Sequence, residues 1–260
     1  MHKLAIAAAL LLAVSPLPAD ECNPNWGYTG RIAPEYWGEH YPLCAAGLRQ
    51  SPIDIRTSGR TPDPGLRPVE GNRQQESRFN VERRAYDLEV KDLNPAWTLS
   101  WQGRTATLLQ FHFHVKAEHY LNGHQPEAEA HFVFKENGRN NLIVVAVWIK
   151  AGAENEALQK IIRLKPAECK QENPSGKATI KMNDFLQRIN VNHYATYEGS
   201  LTTPTGSLTT PTPTCEENVT FIVMLEPIQA LASEINALKI VQDPPGNVRP
   251  LQTQGMRLRH

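Results

Sequence analysis

Residues 108–115 have the sequence Leu108-Leu-Gln-Phe-His-Phe-His-Val115. Side chains at alternate positions of a β-strand share one face of the sheet. As a strand, this stretch therefore places His112 and His114 side by side. Phe111 and Phe113 then point to the opposite face, where they form an apolar backing.

A second stretch, Glu127-Ala-Glu-Ala-His-Phe-Val-Phe134, alternates in the same way. It places Glu129, His131 and Val133 on one face and alanine and phenylalanine side chains on the other. If the two strands are neighbours, three histidines converge on one side of a sheet whose other side is apolar.

Three neutral imidazoles with an open fourth position are a known arrangement of catalytic zinc. Glu129 is suited to accept a proton from a liganding imidazole, which favours a metal site over a chance histidine pair. The nitrogen set leaves copper, cobalt and iron open. A protease is a poorer interpretation, because His114-x-x-x-Glu118-His119 is one residue longer than the inverted zinc-protease motif. The remaining histidines are interpreted as surface or core residues: His40, His119, His124, His193 and His260.

The rest of the chain predicts a β-rich single domain with a few short helices, built on a mainly antiparallel sheet. Short apolar or alternating segments separated by turn residues predict strands over 79–81, 86–90, 97–101, 105–114, 128–134, 142–149 and 219–225. Helix-like spacing occurs over 154–164, 182–189 and 227–238. A seven-residue sequence occurs twice in tandem, at 199–205 and 206–212, and is interpreted as a duplication within a loop.

The amino-acid composition makes some classes of function less favoured for this protein. The 260 residues are 40% hydrophobic and 21% charged, which is typical of a soluble globular protein. The 27 basic side chains balance the 27 acidic ones, so no overall field favours nucleic acids or anionic membranes.

The first 19 residues have the pattern of a secretory signal peptide: a charged start, the apolar run Leu4 to Val14, and small residues ending at Ala19. Residues 20–260 are then the mature domain, secreted or periplasmic, and no later segment is long and apolar enough to span a membrane. Export favours disulfides. Four cysteines allow three pairings, and none forms the Cys-x-x-Cys pair of a thiolate zinc site.

The sequence resembles the α-class carbonic anhydrases, of exported bacterial type, over residues 26–249. The motifs that carry the resemblance, in the family's order, are Trp26-Gly-Tyr28, Ala33-Pro-Glu-Tyr-Trp37, Arg49-Gln-Ser-Pro-Ile-Asp-Ile55, Gln110-Phe-His-Phe-His114, Ala117-Glu-His119, Glu129-Ala-His131, Tyr197-Glu-Gly-Ser-Leu-Thr-Thr-Pro204 and Asn247-Val-Arg-Pro250. The resemblance implies a twisted, mainly antiparallel sheet of about ten strands.

It also implies reversible hydration of CO2 to bicarbonate and a proton by zinc-bound hydroxide, with inhibition by sulfonamides and anions. The zinc ligands it implies are His112, His114 and His131, and Gln110 and Glu129 are the implied partners of those ligands.

Further roles come from the same resemblance. Thr202 would accept a hydrogen bond from the hydroxide and donate one to Glu118, and Tyr28 and Tyr197 would hold ordered water. The residues matching the pocket that receives CO2 are Val133, Val144, Leu201 and Thr203.

The sequence departs from the family pattern at several positions. Tyr86 stands where the family has a proton-shuttle histidine, and its ordinary pKa of ~10 makes it a poor relay at neutral pH. The duplication offers Thr209 as a second candidate for the role of Thr202, which the spacing from Tyr197 favours. Phe221 replaces a usual tryptophan.

Two charged residues, Arg84 and Glu89, replace amides that usually line the cleft of the family. The resemblance further implies a Cys44–Cys215 disulfide, leaving Cys22 and Cys169 to pair with each other or with another molecule. The alternative function is a catalytically impaired, carbonic-anhydrase-like binding or matrix protein.

Overall fold

A computed structural model describes residues 22, 24–59, 61–165, 169, 176–187, 189–204, 206–207, 210–241, 246–252 and 259. The strands are β1 (Asp54–Ile55), β2 (Glu70–Gly71), β3 (Glu76–Arg83), β4 (Leu88–Asp92), β5 (Thr98–Trp101), β6 (Arg104–His114), β7 (Tyr120–Leu121), β8 (Ala128–Glu136), β9 (Leu142–Ala151), β10 (Gly176–Lys181), β11 (Tyr194–Gly199), β12 (Gly206–Ser207), β13 (Thr210–Pro213) and β14 (Val219–Ala230). The helices are α1 (Trp37–His40), α2 (Pro42–Ala46), α3 (Glu156–Leu164), α4 (Met182–Leu186) and α5 (Ala232–Val241), with 3-10 turns at Gly30–Ile32 and Pro34–Tyr36.

Ten of these strands form one sheet. Its main path runs β10-β3-β4-β6-β8-β9-β14-β11, with β5 pairing both β6 and β2. Of these pairings only β9 with β14 is parallel in the part of the chain that the structure describes. The predicted β-rich fold with a mainly antiparallel sheet of about ten strands is therefore confirmed.

The sheet separates two apolar clusters, as the alternation of the sequence predicts. Phe111 and Phe113 are buried on the face that carries the larger cluster, together with Phe132 of the neighbouring strand. A β-bulge between Leu108 and Gln110 shifts the register of β6 against β8. In a regular strand Leu108 and Gln110, two residues apart, would share a face. Because the bulge adds one residue, Leu108 lies instead on the apolar face with the phenylalanines. The other face carries the histidines.

Some elements differ from the prediction. The predicted first residue of the helix over 227–238 was wrong, because β14 continues through Pro227 and the helix begins only at Ala232. Register with β9 shifts in this part of β14, between Met224 and Ile228, where an irregular ladder accommodates the missing N–H of proline. Tyr86 was expected in a strand but lies in the turn between β3 and β4. The described part of the second repeat contributes to the β12–β13 hairpin.

Two disulfides cross-link the described residues, Cys44 with Cys215 and Cys22 with Cys169. The first is the bridge implied by the resemblance, and the second settles the pairing that the sequence left open.

None of the described helices combines the length and apolarity needed to cross a membrane. The signal peptide predicted for residues 1–19 lies outside the described residues, so it and the 20–260 domain boundary stay predictions.

Candidate metal centre

Three imidazoles meet on the face of the sheet opposite the phenylalanines. His112 of β6 lies directly opposite His131 of the antiparallel strand β8, and His114 lies opposite Glu129. The ring centroids are 4.6 to 5.4 Å apart. One ring nitrogen from each of the three residues lies within 4.8 Å of the other two, so the strands bring together a possible metal-ligand set.

Two of the imidazoles are held from outside by a hydrogen bond to one nitrogen, and the third lies beside a carboxylate. His112 Nδ1 lies 2.9 Å from Gln110 Oε1, and His114 Nδ1 lies 2.8 Å from the backbone carbonyl of Asn247. His131 Nε2 lies 3.1 Å from Glu129 Oε1. Such partners fix the tautomer and the orientation of a liganding imidazole.

The inner nitrogens fit a metal. His114 Nε2 is buried and has no hydrogen-bond partner among the described residues, an arrangement that is costly unless a ligand occupies it. Burial lowers the pKa of both His112 and His131 below the ordinary value, and the neighbouring histidines lower that of His112 further. The rings of His112 and His131 are therefore neutral near pH 7, the form that binds zinc.

Glu129 connects this centre to the surrounding chain. Its Oε2 accepts hydrogen bonds from the backbone N–H groups of Glu118 and His119, at 2.8 and 2.9 Å. Its Oε1 lies 2.6 Å from His119 Nδ1. Burial alone would raise the pKa of Glu129, but attraction and hydrogen bonding to His119 and His131 hold it well below its ordinary value. Glu129 is thus an ionised, fully buried acceptor.

His119 has a larger role than its sequence interpretation as a surface or core histidine gave it. It is fully buried, and its Nε2 lies 2.6 Å from the hydroxyl of Tyr197. That hydroxyl in turn lies 2.9 Å from Ser51 Oγ, which accepts a hydrogen bond from the backbone N–H of Ser200. A buried chain thus links Glu129 to the loop containing Thr202. The pattern Ala117-Glu-His119 carried the resemblance but gave no spatial partner for His119.

Glu118 and Thr202 are both buried near this centre, but no hydrogen bond joins them in the structure. Glu118 Oε1 accepts from the backbone N–H of Arg249 at 2.9 Å. Its Oε2 lies 3.5 Å from His114 Nε2 and has no hydrogen-bond partner among the described residues. The relay from Thr202 to Glu118 stays a prediction, and Thr209 lies outside the described residues.

An apolar wall adjoins the histidines. Val133 follows His131 by two positions on β8, and it pairs across the sheet with Val144 of β9. Val144 in turn pairs with Phe221 of β14. Leu201 is partly buried against the same cluster. Thr203, from the same loop, is half-buried. β8 and β9 therefore bring Val133 and Val144 to the histidine side of the sheet, and the pocket itself stays a prediction.

Comparison with known proteins agrees with this geometry. A sequence model of the family described as eukaryotic-type carbonic anhydrase matches residues 32–258. The chain belongs to this family. It is 32% identical to a carbonic anhydrase of Nostoc sp., over 93% of this chain and 87% of that protein. It is also 32% identical to one from Pectobacterium carotovorum, over 98% of both chains. A solved α-carbonic anhydrase of Thermovibrio ammonificans, in complex with sulfanilamide, superposes with a TM-score of 0.78 at 32% identity, covering 90% of this chain and 98% of that one. The resemblance inferred from the motifs is confirmed, and the chain is an enzyme of the carbonic anhydrase type.

Tyr86, which stands where the family pattern has a histidine, lies among aromatic side chains beside the site. Tyr86 packs against Trp26 and Tyr28, with ring centroids 5.5 and 5.3 Å away. Its hydroxyl would lie only 2.3 Å from a Cβ at Gly27, so only glycine leaves room for it there. Burial raises the pKa of Tyr28 well above the ordinary value, so that phenol stays neutral.

Proposed function

We propose that this protein catalyses the reversible hydration of CO2 to bicarbonate and a proton, with zinc bound by His112, His114 and His131. The observation that carries the proposal is the convergence of three imidazoles, two of them buried, each with a polar group beside its outer nitrogen. Family membership and the match to solved α-carbonic anhydrases support it. Zinc bound by three imidazoles supplies Lewis acidity that lowers the pKa of a coordinated water to about 7.

The outer partners of the histidines hold the site ready before substrate arrives. Gln110 and the Asn247 carbonyl each fix one imidazole, and Glu129 Oε1 lies 3.1 Å from Nε2 of the third, so that the remaining nitrogen of each ring faces inward. Because β6 and β8 are central strands of the sheet, these rings cannot move apart without breaking backbone hydrogen bonds. This preorganisation favours metal binding and keeps the geometry of the site fixed during turnover.

The apolar wall suits a small substrate without charge. CO2 offers no group for an ion pair, so its binding depends on an apolar surface close to the reacting atoms. Val133, Val144 and Leu201 supply that surface beside His131. They hold the substrate near the centre and keep bulk water away from its carbon atom.

The loop of Thr202 is fixed from two sides. Ser51 and Ser200 exchange two hydrogen bonds, from Ser51 N to Ser200 Oγ and from Ser200 N to Ser51 Oγ. Leu201 N donates to the carbonyl of Glu216, one residue after Cys215 of the Cys44–Cys215 bridge. We infer that this loop places Thr202 to orient the attacking group, with Glu118 accepting the hydrogen bond that the Thr202 hydroxyl donates.

The same centre is expected to bind sulfonamides, as the Thermovibrio ammonificans relative does with sulfanilamide. The protein itself is predicted to be secreted or periplasmic, after removal of residues 1–19. The two disulfides are consistent with that location, because disulfides persist in oxidising compartments.

Stopped-flow CO2 hydration by the purified mature protein in strong buffer, with and without sulfanilamide, tests the proposal. Rapid hydration that sulfanilamide abolishes is the expected result. Zinc-loaded protein without hydration activity would contradict it, and would favour the alternative of a carbonic-anhydrase-like binding or matrix protein.

A further inference from the structure

A buried phenylalanine outside the metal-ligand set packs against two histidines of the candidate metal centre. Phe221 of β14 is 2% exposed and belongs to the apolar cluster on the histidine side of the sheet. Its ring centroid lies 4.9 Å from that of His119 and 5.7 Å from that of His131, with interplanar angles of 64° and 66°. The centroids of His119 and His131 are themselves 5.7 Å apart, at 63°. The three rings therefore form a closed triangle of edge-to-face contacts, a geometry that aromatic rings favour.

The Phe221 ring is itself tightly held. It stacks on Tyr197 at a centroid distance of 5.2 Å and an interplanar angle of 10°. A Cβ at Gly199 would lie 2.6 Å from Tyr197 Cε2 and 3.2 Å from Phe221 Cδ2, so the absence of a side chain lets the Gly199 backbone approach both rings. The Phe221 carbonyl also accepts a hydrogen bond from Thr196 Oγ1 at 2.7 Å. These contacts make Phe221 a rigid surface for the histidines to pack against.

His131 depends on such a surface more than the other two histidines of the ligand set. His112 Nδ1 and His114 Nδ1 each have a hydrogen-bond partner. His131 Nε2 only lies beside Glu129 Oε1, at 3.1 Å. One contact at a ring nitrogen leaves the imidazole able to turn about the line that joins this nitrogen to the carboxylate oxygen. Such a turn would move Nδ1, the nitrogen that remains for a metal, and would break the edge-to-face contact with Phe221.

We propose that Phe221 is a positioning residue of the metal centre, whose ring holds the His131 imidazole, directly and through His119, in its ligand orientation. The inference rests on the zinc site of the proposed function. Removal of the ring frees the imidazole to turn without removing a ligand atom or a charge. Metal affinity then falls, because part of the binding free energy is needed to order the imidazole.

The test compares F221L and F221W with the unaltered protein and with the matched control F79L. Leucine keeps the site apolar but removes the ring, whereas tryptophan restores the aromatic side chain that is usual in the family. Phe79 of β3 is a fully buried phenylalanine of the other apolar cluster. Its ring contacts among the described residues are with Trp97 and Phe111, and none is with a histidine.

The zinc affinity of each metal-free protein is measured by competition with a chelator. F221L is expected to bind zinc about 10-fold or more less tightly, as is typical when a residue that supports a metal ligand is removed. F221W is expected to recover most of this affinity. F79L should be less stable in urea, because a buried ring is truncated, but should keep the zinc affinity of the unaltered protein.

The outcomes separate this inference from the proposed function. Unaltered protein that binds zinc without hydrating CO2 overturns the proposed reaction alone, since the affinities are measured without substrate. Unaltered protein that binds no zinc overturns both. Equal zinc affinities of F221L and the unaltered protein overturn the role of Phe221. An equal loss of affinity in F221L and F79L also overturns it, because that result indicates general destabilisation.

A second measurement needs no variant. NMR spectra of the metal-free, unaltered protein are expected to show nuclear Overhauser effects from the ring protons of Phe221 to those of His119 and His131. The two sides of the Phe221 ring are expected to give separate signals, because a tightly held ring flips slowly. A rapidly flipping Phe221 ring without contacts to His131 would contradict the inference.

Discussion

Replacing Glu129 by glutamine is the sharpest perturbation of the metal centre, because one carboxylate serves two histidines and two backbone amides. Oε2 accepts from Glu118 N and His119 N, and Oε1 lies 2.6 Å from His119 Nδ1 and 3.1 Å from His131 Nε2. An amide keeps the shape but replaces one oxygen by an N–H donor. Whichever way the amide turns, two donors of the protein lose their acceptor.

The expected loss of stability depends on the number of donors that lose their acceptor. A buried donor without a partner costs about 1 to 3 kcal/mol, so two cost about 2 to 6 kcal/mol of the free energy of unfolding. Loss of the partner of a liganding histidine weakens metal affinity by about 10- to 100-fold. E129Q should therefore be less stable and should bind zinc less tightly.

The assay is urea unfolding of the metal-free protein together with zinc titration in competition with a chelator. E198Q is the matched control, because Glu198 is an exposed acceptor on β11 whose side chain bonds only Thr220 Oγ1 among the described residues. Equal stability and zinc affinity for E129Q and E198Q would refute the assigned role of Glu129.

Three further outcomes are expected. Substituting Cys215 by serine opens a bridge with a sequence separation of 171 residues and should lower the free energy of unfolding by about 3 to 5 kcal/mol in urea; no loss would contradict its role as a clamp. The depressed pKa of Glu129 gives stability that is present above about pH 4.3 and is lost as the pH falls through its folded-state pKa. Urea midpoints measured from pH 6 down to about pH 3 should show this loss, and E129Q should show less of it. Changing Tyr86 to histidine should raise kcat for CO2 hydration in weak buffer, because imidazole titrates near ~6.5; an unchanged kcat would show that protons already leave efficiently by another route.

The alternation of β6 and β8 made much of the centre predictable. A period of two placed the histidines and phenylalanines on opposite faces, and the structure agrees on every one of these residues. The sequence did not show that the two strands are neighbours. The pairing of His112 with His131 in the structure shows that they are.

Other features depend on contacts between distant parts of the chain, which local pattern does not report. β11 was not predicted, because Tyr194-Ala-Thr-Tyr-Glu-Gly199 has no clear alternation and becomes a strand by pairing with β14. The helix expected from Pro227 fails for the same reason, since pairing with β9 extends β14 to Ala230. The partners of His119 and the raised pKa of Glu89 likewise arise from neighbours remote in sequence or from burial.

Zinc bound by His112, His114 and His131 is expected to be required for CO2 hydration. The most direct test of this requirement is to titrate zinc into chelator-treated protein while measuring the hydration rate and counting bound zinc in the same samples. The rate is expected to rise linearly and to stop at one zinc per chain, and H131A should gain neither zinc nor activity. Full activity without zinc, or normal hydration by H131A with one zinc bound, would contradict the claim.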